Sequence, residues 1–444
     1  MRARIAWVGL VAACASAPRT PSTPAIDVAR LDRIARDAVE HGGIVGMAVV
    51  VERGDTIVLA RGYGVEDLET KRPVTPRTVF PLASLSKQYW ATVALRHVER
   101  GVLALDAPIA SVLPAFPDRR VTLAHLLQQT SGLGDDRPHE DDVRFTDLEP
   151  LAFAPGERWA YSNRGAILVR ALVEQAAGKP WATMLADEVA RPLGLEHTSV
   201  CAPGVHGYAA RAAGAVPAAL DDETLTRVQF TCADALDVAR FERSFDRHEL
   251  LSPASVAAMR TPVQLRAGDA TVALDYGMLT RIGELAGHRA FGHTGNFPGV
   301  DVAAYRLPDD DLTIVVLENT TPRPGYKALA VAQTLARAIL GIAEPQVRDL
   351  AVPADVLAAC TGTFASATVE VRLTAKDGAL WAELVRPAQW TGRLQYQGGD
   401  TFLGGPAGVR VDNVQRFVPA RGKAMWVTWG SPWLLDGVAW RIAD

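Results

Sequence analysis

A serine and a lysine three positions apart are the first residues of this chain that could perform chemistry. In the motif Ser84-Leu85-Ser86-Lys87 they stand at positions i and i+3, which share one face of a helix. A serine hydroxyl attacks poorly unless a base takes its proton, and a lysine in a dry site can lose its charge and serve as that base. The start of a helix also directs backbone N–H groups outward, where they can stabilise an oxyanion. The motif predicts a nucleophilic Ser84 assisted by Lys87, but by itself it fits an ordinary helix start equally well.

Two further segments carry side chains suited to the same chemistry. Tyr161-Ser162-Asn163 follows a Pro-Gly turn and is predicted to stand at the head of a helix, where the phenol can shuttle a proton and the amide can bind a substrate carbonyl. Phe291-Gly292-His293-Thr294-Gly295-Asn296 predicts a strand whose glycines let an extended ligand approach the edge, with His293 and Thr294 facing the pocket. Each segment alone also fits a purely structural role, as a packed tyrosine or a surface histidine.

The three segments, in their order along the chain, resemble the three motifs of the penicillin-recognising serine hydrolase family: Ser-x-x-Lys, Tyr-x-Asn and a basic residue followed by Thr-Gly. This family groups class C β-lactamases, D-alanyl-D-alanine peptidases and esterases. Longer stretches are similar to the family too, namely 84–106, 126–133, 155–163 and 293–299. The resemblance covers about residues 27–342, and Thr361-Gly362-Thr363-Phe364 resembles the lipocalin-like domain appended to some members.

The resemblance implies a role for each matched residue. Ser84 is expected to be acylated, with Lys87 and Tyr161 handling its proton. The substrate-binding residues are expected to be Asn163, His293, Thr294, Gly295 and Asn296. Among these, Asn163 would contact the substrate amide, and the backbone N–H groups of Ser84 and Asn296 would form the oxyanion hole.

The chain departs from the family pattern at two positions. His293 stands where class C β-lactamases usually have lysine, and a neutral imidazole holds a substrate carboxylate less firmly than an ammonium does. Gln129 replaces the usual histidine of the segment around it. The expected function is a serine hydrolase acting on amide or ester bonds, favouring small peptides with D-residues. An esterase or β-lactamase of the same fold is the alternative, and a penicillin-binding sensor without turnover or a ligand-binding protein is the rival of another class.

The elements that must position these residues can be predicted from patterning. A helix after Asp27, strands at 46–52 and 56–62, a helix at 84–99 and a largely helical stretch at 102–200 come first. Strands at 290–292, 302–306 and 312–317 and a helix at 327–340 follow. This order predicts an α/β (α+β) fold of the class C β-lactamase type, in which helices flank an antiparallel sheet beside an all-helical lobe.

Composition changes after this part. Alternating apolar residues at 369–373, the Asp377-Gly378 turn and six of the ten tryptophans predict an antiparallel, barrel-like β domain near the C-terminus. The expected organisation is a lipoprotein-type signal at 1–17, a tether at 18–26, a hydrolase domain at 27–342, a linker at 343–353 and a lipocalin-like β domain at 354–444.

The N-terminus resembles an export signal. A short apolar run follows Arg2 and Arg4, and it is too short to span a bilayer. Cleavage before Cys14, with lipidation of that cysteine, is favoured over cleavage after Ala17. The predicted location is therefore the bacterial cell envelope, as a periplasmic protein or outer-membrane lipoprotein, with membrane attachment only through that lipid.

Charge and cysteine content limit the remaining possibilities. The net charge of −4 comes from scattered residues and offers no basic patch for nucleic acid. No CxxC or HExxH pattern occurs, so neither a metal nor another cofactor is expected. An oxidising compartment permits a Cys201–Cys232 bridge, and separate buried thiols are an equal alternative. The expected partner is a small peptide or ester substrate, and the oligomeric state is open.

Overall fold

The computed structural model describes residues 26–134, 150–202, 207–218, 222–267, 270–323, 325–344, 346–366, 369–386, 390–404, 414–420, 423–431 and 434–443. The predicted signal and Cys14 lie outside these residues. The α-helices are α1 (Val28–Gly42), α2 (Ser86–Glu99), α3 (Leu123–Leu127), α4 (Asn163–Ala177), α5 (Trp181–Leu185), α6 (Arg191–Leu193), α7 (Asp222–Val228), α8 (Ala235–Ser244), α9 (Pro253–Met259), α10 (Ala328–Leu340) and α11 (Ala354–Cys360).

The first fourteen strands are β1 (Gly46–Arg53), β2 (Thr56–Gly64), β3 (Phe80–Pro81), β4 (Ser199–Val200), β5 (Tyr208–Arg211), β6 (Gly214–Pro217), β7 (Thr231–Ala233), β8 (Val263–Ala267), β9 (Ala270–Leu274), β10 (Arg281–Leu285), β11 (His288–Phe297), β12 (Val300–Leu307), β13 (Leu312–Glu318) and β14 (Thr320–Thr321). The others are β15 (Gly362–Ala365), β16 (Glu370–Lys376), β17 (Ala379–Arg386), β18 (Trp390–Arg393), β19 (Gln395–Gly398), β20 (Thr401–Leu403), β21 (Val414–Ala420), β22 (Lys423–Ser431) and β23 (Leu434–Ala443).

A six-stranded antiparallel sheet in the order β10-β11-β12-β13-β1-β2 forms the centre of the first part of the chain. Its middle strands are apolar on both faces because helices cover both. On β1, Val49 and Val51 pack with α1 and α10, whereas Ala48 and Val50 face the helical lobe. This two-sided burial explains why the strand reads as a continuous apolar run rather than an alternating one.

The predicted α/β architecture and the order of its main elements are confirmed. Asp27 caps α1 by accepting the N–H of Arg30 at 3.0 Å. Strand β11 is longer than predicted, because it pairs with β10 along 288–292 and with β12 along 291–297, which includes the glycine-rich motif. The hairpins β5–β6 and β8–β9 were not predicted, although Val263-Gln264-Leu265-Arg266 of β8 alternates apolar and polar residues.

A small three-stranded sheet, β3-β7-β4, lies directly under the predicted nucleophile. Cys201 and Cys232 form a disulfide with their Cα atoms 4.8 Å apart, which decides between the two alternatives left open by the sequence. Cys232 lies on β7 opposite Pro81 of β3, three residues before Ser84. The bridge therefore joins the end of the helical lobe to the strand that supports the Ser84 segment.

The C-terminal strands form one nine-stranded antiparallel sheet in the order β18-β17-β16-β15-β23-β22-β21-β20-β19. The two outer strands, β18 and β19, are separated in the chain by Leu394 alone. The sheet must therefore curl until its two outer strands meet at Leu394, which agrees with the barrel-like prediction. Strands β18 and β19 do not pair with each other by hydrogen bonds, so the sheet is not closed by pairing between them. A compact apolar cluster, which includes Phe364, Leu380 and Phe402, packs within this domain.

The curled sheet borders the first part of the chain. Its strand β23 lies beside β10, the outer strand of the six-stranded sheet. The connecting segment also bonds to the curled sheet, since Asp349 forms a bidentate ion pair with Arg393 at 2.6 and 2.8 Å. Among the described residues, no helix has both the length and the apolar character needed to cross a bilayer.

Candidate functional site

Ser84 lies in a 3₁₀ turn, Ala83–Leu85, that leads into helix α2. Lys87 stands on the first turn of that helix and is 1% exposed. Its Nζ donates to Ser84 Oγ at 2.9 Å and to Asn163 Oδ1 at 2.7 Å. Ser84 itself remains partly accessible while its neighbours on both sides are buried. The serine and lysine are thus close enough for direct proton transfer.

The backbone around Ser84 is held in an unusual conformation. Ala83 has φ +46°, a left-handed value that costs a residue with a Cβ roughly 1–2 kcal/mol. Two hydrogen bonds to Thr231 of β7 hold the turn in place: Leu82 donates its N–H to the Thr231 carbonyl, and Ser86 Oγ accepts the Thr231 N–H, both at 2.9 Å. Ser86 is therefore turned towards β7, and Ser84 is left facing the site.

Tyr161 and Asn163 arrive from the start of helix α4. Ser162 is the N-cap of that helix and accepts the N–H of Gly165 at 3.0 Å, as expected for a serine in this position. The Tyr161 ring lies beneath Lys87, with Nζ 4.8 Å from the ring centroid. The cap thus sets the direction in which the chain enters α4 and places the tyrosine and the asparagine on two sides of the same lysine.

Gln129 fixes the segment that carries these two residues. It is 1% exposed, its side-chain oxygen accepts the N–H of Ser162, and its backbone carbonyl accepts the N–H of Ala160 at 3.1 Å. Gln129 has φ +61°, so its side chain leaves the backbone in a direction that an extended or helical residue does not offer. The sequence marked this position only as a departure from the family, and the structure shows its role in positioning Tyr161-Ser162-Asn163.

Strand β11 forms the third side of the site. A Cβ added to Gly295 would lie 2.1 Å from the Leu82 carbonyl oxygen, so the strand approaches the Ser84 segment more closely than any residue with a side chain would allow. Thr294 is partly accessible and Asn296 is exposed. The structure therefore brings all three predicted motifs together around Ser84 and Lys87.

His293 is the exception to the expected arrangement. It is 0% exposed, its Nδ1 lies 2.6 Å from the Thr294 carbonyl oxygen, and its Nε2 lies 3.5 Å from the Tyr276 hydroxyl. Burial, followed by the charges of Arg281 and Lys87, lowers the pKa of His293 well below the usual imidazole value. The role of His293 in binding substrate stays a prediction, and its lowered pKa favours the neutral imidazole that the sequence analysis considered.

Two residues beside the site were not identified from the sequence. Tyr276 is fully buried between Trp159, Tyr161 and His293, and burial raises the pKa of its phenol well above the usual value. Arg281, at the start of β10, places its guanidinium carbon 5.5 Å from the centre of the Tyr161 ring. Neither residue belongs to a periodic or spaced motif, so only tertiary structure reveals their position.

One group of potential metal ligands occurs within the described part of the chain, formed by His197, Asp234 and Asp237. Their polar atoms are already occupied. Arg77 bonds to Asp234 at 3.1 Å, and Asp237 accepts the backbone N–H of His197 at 2.7 Å. Because arginine already balances the negative charge of these carboxylates, we assign the cluster a structural role.

Comparison with known proteins agrees with this geometry. The Beta-lactamase family model matches residues 31–338. Esterase EstB of Burkholderia gladioli is 39% identical over 196 residues, covering 38% of this chain and 50% of the esterase. Penicillin-binding protein 4* of Bacillus subtilis (strain 168) is 28% identical over 317 residues, covering 64% of this chain and 69% of that protein. The chain thus matches about half to two thirds of the length of these relatives.

A solved structure extends the likeness to the C-terminal sheet. The crystal structure of SurE with D-Leu superposes with a TM-score of 0.67 at 26% identity, covering 94% of this chain and 99% of SurE. The family match, the order of the three motifs and their convergence on Ser84 and Lys87 lead to one assignment. The chain belongs to the Beta-lactamase family.

Proposed function

We propose that this protein is a serine hydrolase that forms an acyl-enzyme on Ser84 and cleaves amide or ester bonds. The observation that carries the proposal is the position of Lys87 Nζ, 2.9 Å from Ser84 Oγ and 2.7 Å from Asn163 Oδ1 in a buried setting. A lysine with a purely structural role would extend its amine towards solvent. Lys87 instead contacts Ser84, the one residue of the segment 80–87 that is partly accessible.

The geometry supports a two-step acyl transfer. In the first step Lys87 takes the proton of Ser84 as Oγ bonds to the substrate carbonyl carbon. The carbon–nitrogen or carbon–oxygen bond of the leaving group then breaks, and that group departs with a proton delivered through Tyr161. In the second step water attacks the ester, its proton returns to the serine, and the acid is released. Backbone N–H groups of Ser84 and Asn296 are proposed to stabilise both oxyanions.

Small peptides containing D-residues are the favoured substrates, with simple esters as the alternative. The buried, neutral His293 supplies no cation for a penicillin carboxylate, which disfavours a dedicated β-lactamase. SurE, which shares the overall fold, was solved with D-Leu. A sensor that is acylated and never turns over remains the rival of another class, and deacylation separates the two.

Intact-mass spectrometry tests the proposal directly. The purified protein is mixed with a penicillin, a D-Ala-D-Ala peptide and a p-nitrophenyl ester, and both the adduct and the product are followed with time. We expect an adduct on Ser84 that decays as product accumulates for the peptide or the ester. The Ser84→Ala variant should form no adduct, whereas Ser86→Ala, which loses only its bond to Thr231, should still form one. An adduct mapped to another serine would overturn the proposal, and a permanent adduct with every agent would favour the sensor.

We further propose that the C-terminal domain, residues 354–444, is lipocalin-like and influences substrate choice. The curled nine-stranded sheet and the position of β23 beside β10 support this. Deletion after Gly341 should preserve hydrolysis of a small ester better than hydrolysis of a longer peptide. Equal treatment of both substrates by a folded truncated protein would mean that the domain takes no part in selection.

Export to the cell envelope with a lipid on Cys14 also remains a proposal. It rests on the apolar run that precedes this cysteine. Wild-type protein expressed in bacteria should fractionate with membranes, whereas Cys14→Ser should appear in the periplasm or stay unprocessed. A mature chain that begins after Cys14, measured by intact mass, would contradict lipidation.

A further inference from the structure

A buried carboxylate lies behind the predicted oxyanion strand. Strands β11 and β12 are joined by the two-residue turn Pro298-Gly299, and Asn296 faces Asp301 across the hairpin, one pair away from the turn. Asp301 is 5% exposed. Its Oδ2 accepts the side-chain amide of Asn296 at 2.8 Å. A charged group therefore lies under the residue whose backbone N–H is assigned to the oxyanion hole.

The other oxygen of Asp301 reaches a different element. Oδ1 accepts the N–H of Ala328 at 3.0 Å, the first residue of helix α10. The N-cap residue of this helix, Lys327, contributes no capping side chain, so Asp301 supplies from β12 the acceptor that a serine or aspartate would normally supply locally. A negative charge at this position also interacts favourably with the helix dipole. Asp301 thus connects the β11–β12 hairpin to a long, buried helix on the back of the sheet.

The surroundings of Asp301 disfavour a charged carboxylate at this position. Burial raises the pKa of Asp301 to about 6, although Lys327, Asn296 and the Ala328 N–H all oppose this rise. Its cross-strand partner on β13 is Glu318, which is 0% exposed and whose two carboxyl oxygens have no hydrogen-bond partner among the described residues. Burial and the neighbouring Asp301 raise the pKa of Glu318 well above its usual value, which favours the neutral form of Glu318.

We infer that Asp301 is a positioning residue for the reaction: it holds Asn296, and with it the oxyanion N–H, in fixed register with helix α10. The inference rests on the proposed acyl-transfer function. A carboxylate is required because both oxygens accept hydrogen bonds from donors. An asparagine at this position could satisfy only one of them, since its amide nitrogen would face the other donor.

The test uses the full-length protein and a p-nitrophenyl ester. Asp301→Asn should lower the acylation rate about tenfold with KM within about twofold, because misplacing an oxyanion donor affects the transition state more than the bound substrate. Asn296→Ala, which keeps the backbone N–H but removes its anchor, should cause a similar fall. The double variant should be no worse than the poorer single one, because both changes break the same link.

Three controls make the outcome decisive. Glu318→Gln replaces the adjacent neutral carboxyl and should leave the rate unchanged. Melting temperatures identify any effect of the substitutions on folding. If Asp301→Asn does not fold, Asn296→Ala, at an exposed position, still tests the hydrogen bond between Asn296 and Asp301. Ser84→Ala tests the proposed function separately. Wild-type rates in Asn296→Ala, or additive losses in the double variant, would overturn the positioning role and reduce Asp301 to the cap of α10.

Discussion

The side-chain oxygen of Gln129 accepts the backbone N–H of Ser162, the residue between Tyr161 and Asn163. This bond joins the end of one helical segment to the start of another across 33 positions of sequence. We predict that Gln129→Ala destabilises the protein by about 1–3 kcal/mol, the usual cost of leaving a buried donor unsatisfied. It should also lower kcat, since Tyr161 loses its support. Thermal melting and steady-state kinetics measure the two effects, and Gln128→Ala, at the partly exposed neighbour, is the matched control. Unchanged kcat in a destabilised Gln129→Ala would limit Gln129 to a structural role.

Lys87 and Tyr161 should behave as a single proton-handling unit. Their contact, with Nζ 4.8 Å from the ring centre, places both beside the Ser84 hydroxyl. Lys87→Ala and Tyr161→Phe should each lower the acylation rate about 10²–10⁴-fold, and the double variant should be little worse than the poorer single one. Lys87→Arg should fail too, because a guanidinium keeps its proton. Stopped-flow acylation by an activated ester gives the rates. Fully additive losses would show that the two residues act independently.

The Cys201–Cys232 disulfide should support the Ser84 segment through β7. It closes a loop with a sequence separation of 31, for which the chain-entropy model gives about 3–4 kcal/mol of stabilisation. Replacing both cysteines by alanine should lower the free energy of unfolding by an amount of this order. The acylation rate should fall as well, because Thr231 holds both Leu82 and Ser86. Denaturant unfolding and acylation kinetics test the two effects, with Cys360→Ala, the other buried cysteine, as control. An unchanged rate would show that β7 holds the turn without the bridge.

His293 should make stability depend on pH in a defined direction. Its pKa in the folded protein lies well below the unfolded value of about 6.5, so the unfolded chain takes up the proton first. Its contribution to stability is therefore fully present above pH 6.5 and is lost as the pH falls below that value, by up to about 1.4 kcal/mol per pH unit. The difference in unfolding free energy between wild type and His293→Asn, measured from pH 7.5 to 5, isolates this effect from that of the buried carboxyls. The same substitution at the exposed His41 is the control, and parallel pH curves for wild type and His293→Asn would contradict the prediction.

Much of the framework could be predicted because its signals are local. Asp27 as a cap, the apolar strands around Val49 and the turn at Asp377-Gly378 depend on neighbours in sequence. The three motifs were found for the same reason, and the structure brings them together. The role of Gln129 and the positions of Asp301 and Tyr276 were missed because they depend on contacts with other elements, several of them to backbone atoms. The burial of His293, which lowers its pKa, could not be predicted because sequence spacing does not report burial.

The single-residue step at Leu394 has a consequence for how copies of this protein could associate. An unpaired outer strand offers a row of free N–H and C=O groups to any passing chain, and natural proteins cover or remove such edges. Here the chain itself ties the first and last strands of the nine-stranded sheet together, so neither edge extends freely into solvent at that point. Growth of this domain by adding strands from another molecule is correspondingly disfavoured.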